Sequence, residues 1–151
     1  MRRARRADVG ITASYDRTAP SGAAVVEPIE HPSPALDVDV VRVDGVVIVT
    51  VAGELDLDTA PRLRDVLLGP PPPVLVLDLT AVRFFGSSGL SLLLEANRHV
   101  RRAGGELVLV AAGRVVLRPL EITGVVRVLT LFPTLAEALT WKSAARVGQP
   151  A

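Results

Sequence analysis

Four consecutive aliphatic residues, Val-Leu-Val-Leu at positions 74–77, constrain the fold of this chain more than any other feature. A strand that is apolar at every position is covered on both faces, which is typical of a central strand in a parallel sheet. The four prolines at 70–73 cannot join a sheet interior, so they end the preceding element before this strand begins. The sequence therefore predicts a sheet with helices packed on it.

Further strands are predicted on both sides of this segment. Residues 36–43 alternate between polar and apolar side chains, as a half-buried strand does. Asp44-Gly45 is a strong hairpin signal, and an apolar run follows it as the returning strand. The strands are predicted at 36–43, 46–53, 74–77, 106–111 and 125–129.

Apolar residues at helical spacing predict about four helices between and after these strands. The first is expected to begin at a cap formed by Asp58 or Thr59 and to stop at Gly69. Strands that alternate with helices indicate an α/β fold, here with a mixed, mostly parallel central sheet of about four or five strands. The other helices are predicted at about 87–102, near 114–121 and from a capping box at 134–137 through Trp141.

Residues 1 to about 35 differ from the rest in composition. They hold four prolines, scattered charges and no sustained periodicity, so they cannot bury enough apolar surface to offset their ordering entropy. We predict a disordered tail over 1–35, a domain over 36–143 and a short flexible C-terminus over 144–151. Early arginines could contact an acidic partner, but nearby acidic residues nearly cancel them, so a solvated leader is the simpler interpretation.

Composition excludes several classes of function. The chain has no cysteine and two histidines, which argues against disulfide scaffolds, cysteine-based metal sites and thiol nucleophiles, so we predict no metal and no cofactor. The formal net charge of +1 is too near neutral for a protein that binds nucleic acid or an anionic membrane. No run approaches the ~18 apolar residues of a membrane helix, and no signal peptide is recognised, so we expect a cytoplasmic protein.

The most informative part of the chain is the segment 78–95, with sequence DLTAVRFFGSSGLSLLLE. It is interpreted as the end of a buried strand, a loop, and a helix that begins at the corner Gly86-Ser87-Ser88-Gly89. Sites in open α/β sheets gather beyond the carboxyl ends of strands, and the first turn of a helix favours negative charge. A phosphate on a serine there would not melt the helix. The simpler alternative is that serine caps the helix and glycine turns the corner.

The predicted helix at 87–102 divides into an apolar face and a polar stripe. Leu90, Leu93, Leu94 and Ala96 are expected to line its inner face. A polar stripe at steps of three and four residues would leave one side of the helix free for a partner. That stripe consists of Ser88, Ser91, Glu95, Arg98 and Arg102.

Four motifs resemble, in their order along the chain, those of the STAS domain family, named for sulphate transporters and anti-sigma factor antagonists. They are GELDLDTA at 53–60, DLTAVRFFGSSGL at 78–90, GGEL at 104–107 and LEITGV at 120–125. The resemblance covers about residues 36–141. Because no transmembrane segment is predicted, the chain is similar to the free-standing anti-sigma factor antagonists.

This resemblance implies partner switching. The unphosphorylated domain would bind an anti-sigma factor that is also a serine kinase, and would thereby free a sigma factor. Phosphorylation would weaken the complex, and a serine phosphatase would restore it. The family's phosphoacceptor falls on Ser87, and Gly86 stands where the family usually has an acidic residue. The implied partner-binding residues are Gly86, Ser87, Ser88, Gly89, Ser91, Leu92 and Glu95, with Asp56 and Asp58 from the first helix start.

Three other interpretations remain to be compared with this one. An esterase elbow needs Gly-x-Ser-x-Gly, but Leu90 stands where the second glycine must be. A nucleotide site would need a glycine fingerprint that the corner lacks. The open alternative is a STAS scaffold or docking module that is not regulated by phosphorylation. Whether it is a switch or a scaffold, we expect a non-enzymatic protein, a monomer or a weak dimer. Glu54, Asp56 and Asp78 are expected to hydrogen bond near strand ends or to contact the partner.

Overall fold

The computed structural model describes residues 3–4 and 36–147. The strands in this part of the chain are β1 (Arg3–Ala4), β2 (Leu36–Val43), β3 (Val46–Leu55), β4 (Val74–Phe85), β5 (Glu106–Val110) and β6 (Thr130–Phe132). The helices are α1 (Ala60–Leu67), α2 (Ser87–Arg102), α3 (Arg114–Thr123) and α4 (Leu135–Val147), with a 3₁₀ helix at Val125–Val128.

The described strands form one mixed sheet in the order β1-β2-β3-β4-β5-β6. β2 pairs antiparallel with β1 and β3, whereas β3 to β6 are parallel to one another. Asp44 and Gly45 have φ angles of 46° and 81°, as a two-residue type I′ hairpin turn requires. The apolar strand β4 lies inside the sheet between β3 and β5, and the predicted α/β fold is confirmed.

β4 supplies side chains to both faces of this sheet. Leu75 and Leu77 are buried in the main core, which α1, α2 and α3 cover. Val74 and Val76 are buried in a smaller core, to which α4 contributes Ala138. Because α1 and α2 pack on the same face and follow neighbouring parallel strands, their first residues lie at one edge of the sheet.

Two predicted segments differ from the structure. Residues 78–85, interpreted as a strand end and a loop, all belong to β4, because Val82 and Phe85 are buried there and pair with β3. The strand predicted at 125–129 was wrong: Val125–Val128 is a 3₁₀ helix after Gly124, whose φ is 80°, and the strand is Thr130–Phe132. A short apolar run does not distinguish a strand from a helical turn by its periodicity.

The helix predicted at 87–102 is confirmed as α2. Its inner face is only partly as expected, since Leu93 and Ala96 are buried but Leu90 and Leu94 are half-buried. Leu90 nevertheless packs against the main core, and Leu92, Val100 and Gly89 are buried as well.

The chain ends bear on the predicted domain boundaries. β1 pairs with β2 through Arg3 and Ala4, whereas residues 5–35, which make up most of the predicted tail, lie outside the described residues. α4 extends past Trp141 to Val147, and residues 148–151 lie outside the described residues. The tail, domain and C-terminal boundaries therefore stay predictions.

Candidate functional site

Two helix starts meet at one edge of the sheet. α1 follows β3 and α2 follows β4, and the last residues of these strands, Leu55 and Phe85, are register neighbours. The N–H of Gly86 donates to the carbonyl oxygen of Leu55 at 3.1 Å. This hydrogen bond joins the two corners, so the residues before α1 lie beside the first turn of α2.

The corner before α1 is held by hydrogen bonds from its own side chains. Asp56 Oδ1 accepts from the N–H groups of Asp58 and Thr59 at 2.9 and 3.0 Å. The Thr59 hydroxyl donates to the carbonyl of Glu54 at 2.7 Å and accepts from the N–H of Asp56 at 3.0 Å. The predicted side-chain cap by Asp58 or Thr59 is therefore wrong, because the hydroxyl of Thr59, the N-cap residue, is engaged with the preceding loop.

Asp56 hydrogen bonds just after the end of β3, which is one of the two roles expected for it, whereas Asp78 lies within β4, opposite the last residue of β5. Asp78 is 8% exposed, and its Oδ1 accepts from the N–H and hydroxyl of Thr80 at 3.0 and 2.8 Å. Asp58 differs from these two because it is exposed. Of the predicted acidic contacts before α1, Asp58 is therefore the more accessible to a partner.

The corner before α2 has no comparable side-chain bonds. Gly86 is the N-cap residue, with extended backbone angles of φ −97° and ψ −173°, and its carbonyl accepts from the N–H groups of Gly89 and Leu90. Ser87, the first residue of α2, is exposed, and Ser88 is half-buried. Within the described residues, the Ser87 hydroxyl makes no hydrogen bond. The hydroxyl is therefore accessible from solvent.

Gly89 has a packing role in this corner. A Cβ atom at this position would lie 2.8 Å from Cε1 of Phe85 and 2.9 Å from Cδ2 of Leu55. Real Cβ atoms essentially never approach that closely, so the glycine lets α2 pack against the ends of both strands. Because Gly89 is buried, it affects the predicted partner surface only through the packing of α2 on the two strands.

A groove of about 200 Å³ lies between α1 and α2, next to this corner. Leu92 is only 4% exposed and belongs to the main core as well as to the groove lining. Of the predicted partner-binding residues, Ser88, Ser91, Leu92 and Glu95 line the groove, whereas Gly86, Ser87, Gly89, Asp56 and Asp58 do not. The other lining residues are Leu57, Ala60, Pro61 and Arg64.

One ion pair spans the groove. Nη2 of Arg64 in α1 lies 2.7 Å from Oε2 of Glu95 in α2, with the two side chains 52% and 37% exposed. A second pair, Arg83 with Glu54 at 3.8 Å, joins the ends of β4 and β3. Such exposed pairs contribute about 0–1 kcal/mol to stability, so their larger consequence is the charge pattern that they present to a partner.

Sequence reasoning missed the α1 side of the groove. Leu57 is 77% exposed between two aspartates, and an isolated apolar residue in an acidic loop is the signal that could have identified it. Arg64 carries no such signal, because only the packing of α1 on α2 brings it to Glu95. Across residues 36–147, no group of three metal-ligating side chains was found, and no helix is long and apolar enough to span a membrane.

Comparisons with known proteins agree with the motifs. A family model described as "STAS domain" matches residues 37–138. The anti-sigma-F factor antagonist RsfB of Mycobacterium tuberculosis is 34% identical over 116 residues, which cover 75% of this chain and 94% of the relative. The crystal structure of an anti-sigma factor antagonist from Mycobacterium paratuberculosis is 38% identical, with a TM-score of 0.65, over 70% of this chain and 92% of that chain.

The phosphorylated form of the Bacillus cell fate determinant SpoIIAA is a more distant neighbour. It is 18% identical, with a TM-score of 0.54, over 68% of this chain and 96% of that chain. At this identity the similarity establishes a common fold.

Proposed function

This chain belongs to the STAS domain family as an anti-sigma factor antagonist, and on that basis we propose that it binds an anti-sigma factor of the serine kinase type and thereby releases a sigma factor. Phosphorylation of Ser87 by that kinase switches the binding off, and a serine phosphatase restores it. The protein acts in the cytoplasm as a regulator, not as an enzyme.

The observation that carries this proposal is the position of the Ser87 hydroxyl. It is exposed at the first residue of a 16-residue helix, at the same corner as the groove between α1 and α2. A kinase can reach the hydroxyl without unfolding the domain, and a partner seated in the groove lies close enough to be affected by its modification.

A phosphate at Ser87 would change the surface while leaving the fold intact. It carries about −1.5 to −2 charges at pH 7, and the N-terminal end of a helix favours negative charge. The phosphate would follow directly after Gly86, against which the 49% exposed apolar side chain of Phe84 lies. Burying a hydrated dianion against apolar side chains is costly, so the modified protein should bind its partner more weakly.

The first test is transfer of a phosphoryl group. Each anti-sigma factor of the kinase type from the source organism is incubated with the full chain and ATP, and the product is analysed by intact-mass spectrometry. The expected result is a gain of one phosphoryl group that Ser87→Ala abolishes and that the neighbouring changes Ser88→Ala and Ser91→Ala preserve. No gain with any kinase, or a gain that survives Ser87→Ala, would disprove the proposed switch.

A constitutive scaffold is the alternative, and Gly86 favours it. The family's usual acidic residue is absent beside Ser87, and a kinase that depends on that carboxylate would not recognise this site. Calorimetry of the wild type, Ser87→Ala and Ser87→Glu against the same anti-sigma factor separates the two functions. A switch predicts weaker binding for Ser87→Glu alone, whereas a scaffold predicts three equal affinities.

A further inference from the structure

Two adjacent phenylalanines at the end of β4 have opposite environments. Phe85 is 7% exposed and belongs to the main core, as expected from the alternation of side chains along a strand. Phe84 is 49% exposed and belongs to neither hydrophobic core. A large aromatic residue is therefore half-exposed three residues before Ser87, and it contributes to neither core.

The Phe84 ring lies against Gly86. A Cβ atom at position 86 would be 3.2 Å from Cε2 and 3.6 Å from Cζ of this ring. The backbone of Gly86 is extended, with φ −97°, a conformation that any residue adopts. Backbone conformation therefore does not require glycine here. A Cβ atom at 3.2 Å is tighter than most real Cβ contacts, so a side chain at position 86 would shift the ring by a few tenths of an ångström.

The exchange of a carboxylate for a hydrogen atom also changes the local chemistry. Position 86 carries no side chain and no charge, and the aromatic ring of Phe84 lies beside it, next to Ser87 in the sequence. The nearest ionic groups on these strands, Arg83 and Glu54, are 3.8 Å apart and offset each other. A partner that contacts this spot meets an aromatic ring and no carboxylate at position 86.

We infer that Phe84 is the specificity-determining contact for the anti-sigma factor, that it inserts into an apolar pocket of that partner, and that Gly86 is the positioning residue for its ring. This inference rests on the proposed function, since it names the chemistry by which the same partner is recognised. Aromatic side chains that are half-exposed before binding and buried after it are typical anchors of protein interfaces.

The test is calorimetric titration of the unphosphorylated full chain with the kinase-type anti-sigma factors, in the presence of ADP so that no phosphoryl transfer occurs. Phe84→Ala is expected to weaken binding at least about tenfold, and Phe84→Leu less, because it keeps part of the apolar area. The matched control is Ile122→Ala, since Ile122 is 70% exposed on α3 and lies outside the groove; its affinity should stay within about twofold of wild type.

A double-mutant cycle tests the role of Gly86. Gly86→Asp should weaken binding in the wild-type background and cost much less in the Phe84→Ala background, because there is then no ring to displace. Far-UV circular dichroism and thermal melting check that each variant is folded.

The outcomes separate this inference from the proposed function. If the wild type binds but Phe84→Ala binds equally well, the inference is overturned and the proposed function stands. Equal costs of Gly86→Asp in both backgrounds would overturn the positioning role. If the wild type binds no anti-sigma factor, the proposed function itself fails and this inference fails with it.

Discussion

The two helix starts at the edge of the sheet differ in how they are held. Before α1, Asp56 and Thr59 engage four backbone groups, and Thr59 is only 6% exposed. Before α2, Gly86 offers no side chain, and the Ser87 hydroxyl is exposed without a hydrogen bond inside the described residues. The two corners are neighbours in one sheet, so the difference lies in the side chains.

The two hydroxyl groups therefore suit different roles. A hydroxyl that is buried and bonded, like that of Thr59, stabilises a loop and is inaccessible to a kinase. A hydroxyl that is exposed and free, like that of Ser87, contributes little to stability and is available for modification. The hydrogen-bonded corner before α1 holds Leu57 beside the groove, while the corner before α2 would gain negative charge if Ser87 were phosphorylated as proposed.

The largest effect on stability is expected at the corner before α1, which the side chains of Asp56 and Thr59 hold by hydrogen bonds. Asp56→Ala removes the acceptor for two backbone N–H groups and should lower the free energy of unfolding by about 2–3 kcal/mol. Urea denaturation followed by circular dichroism measures this change. The matched control is Asp58→Ala, two residues away and exposed, which should stay within about 0.5 kcal/mol. Equal losses for both variants would show that the hydrogen bonds of Asp56 do not stabilise the corner.

A smaller loss is expected where the corner before α2 packs on the strands. Alanine normally stabilises a helix relative to glycine by about 1 kcal/mol. Gly89→Ala should instead lower the free energy of unfolding by about 1–2 kcal/mol, because its Cβ would overlap Phe85 and Leu55. Ser91→Ala, on the exposed side of the same helix, is the control. A stabilised Gly89→Ala variant would mean that α2 can move away from the strand ends without cost.

The ion pair across the groove should contribute less. A double-mutant cycle of Arg64→Ala and Glu95→Ala is expected to give a coupling energy of about 0.2–1 kcal/mol in the free energy of unfolding. The coupling should decrease in high salt, because both side chains are exposed. A coupling above this range that salt does not reduce would indicate that the pair fixes the distance between α1 and α2.

The smallest effect on stability is expected at Ser87 itself. Ser87→Ala should change the free energy of unfolding by no more than about 0.5 kcal/mol, while Thr59→Ala, the equivalent loss at the corner before α1, should cost about 1–2 kcal/mol. Both values come from the same denaturation experiment. If Ser87→Ala destabilised the domain as much as Thr59→Ala, the contrast between the two corners would be wrong.

The sequence predicts the framework of this site better than its surface. The apolar run at 74–77 placed β4 inside the sheet, and the Gly-Ser-Ser-Gly corner placed the start of α2 at Ser87. Both are local signals, because burial on two faces and helix initiation leave marks within a few residues. The 3₁₀ helix at Val125–Val128 was not predicted, because its four residues suit a strand equally well.

The groove and the Phe84 ring depend on tertiary contacts that no local pattern encodes. Leu57 and Arg64 become groove residues only when α1 packs on α2. The Phe84 ring lies against Gly86, and a missing side chain leaves no periodicity to detect. Thr59 was predicted to cap α1, but its hydroxyl bonds to the preceding loop instead. Threonine is typical of both positions, so the sequence does not distinguish them.

The alternation of β4 between two cores also limits how this protein can change in length. A single residue inserted between Val74 and Leu75 would reverse the faces of the residues that follow it, sending Leu75 and Leu77 to the face covered by α4 and Val76 to the other face. It would also rotate the strand end from which α2 departs. An insertion between Asp44 and Gly45 would only lengthen an exposed turn. Natural insertions and deletions in this lineage should therefore accumulate at the hairpin and be absent from β4.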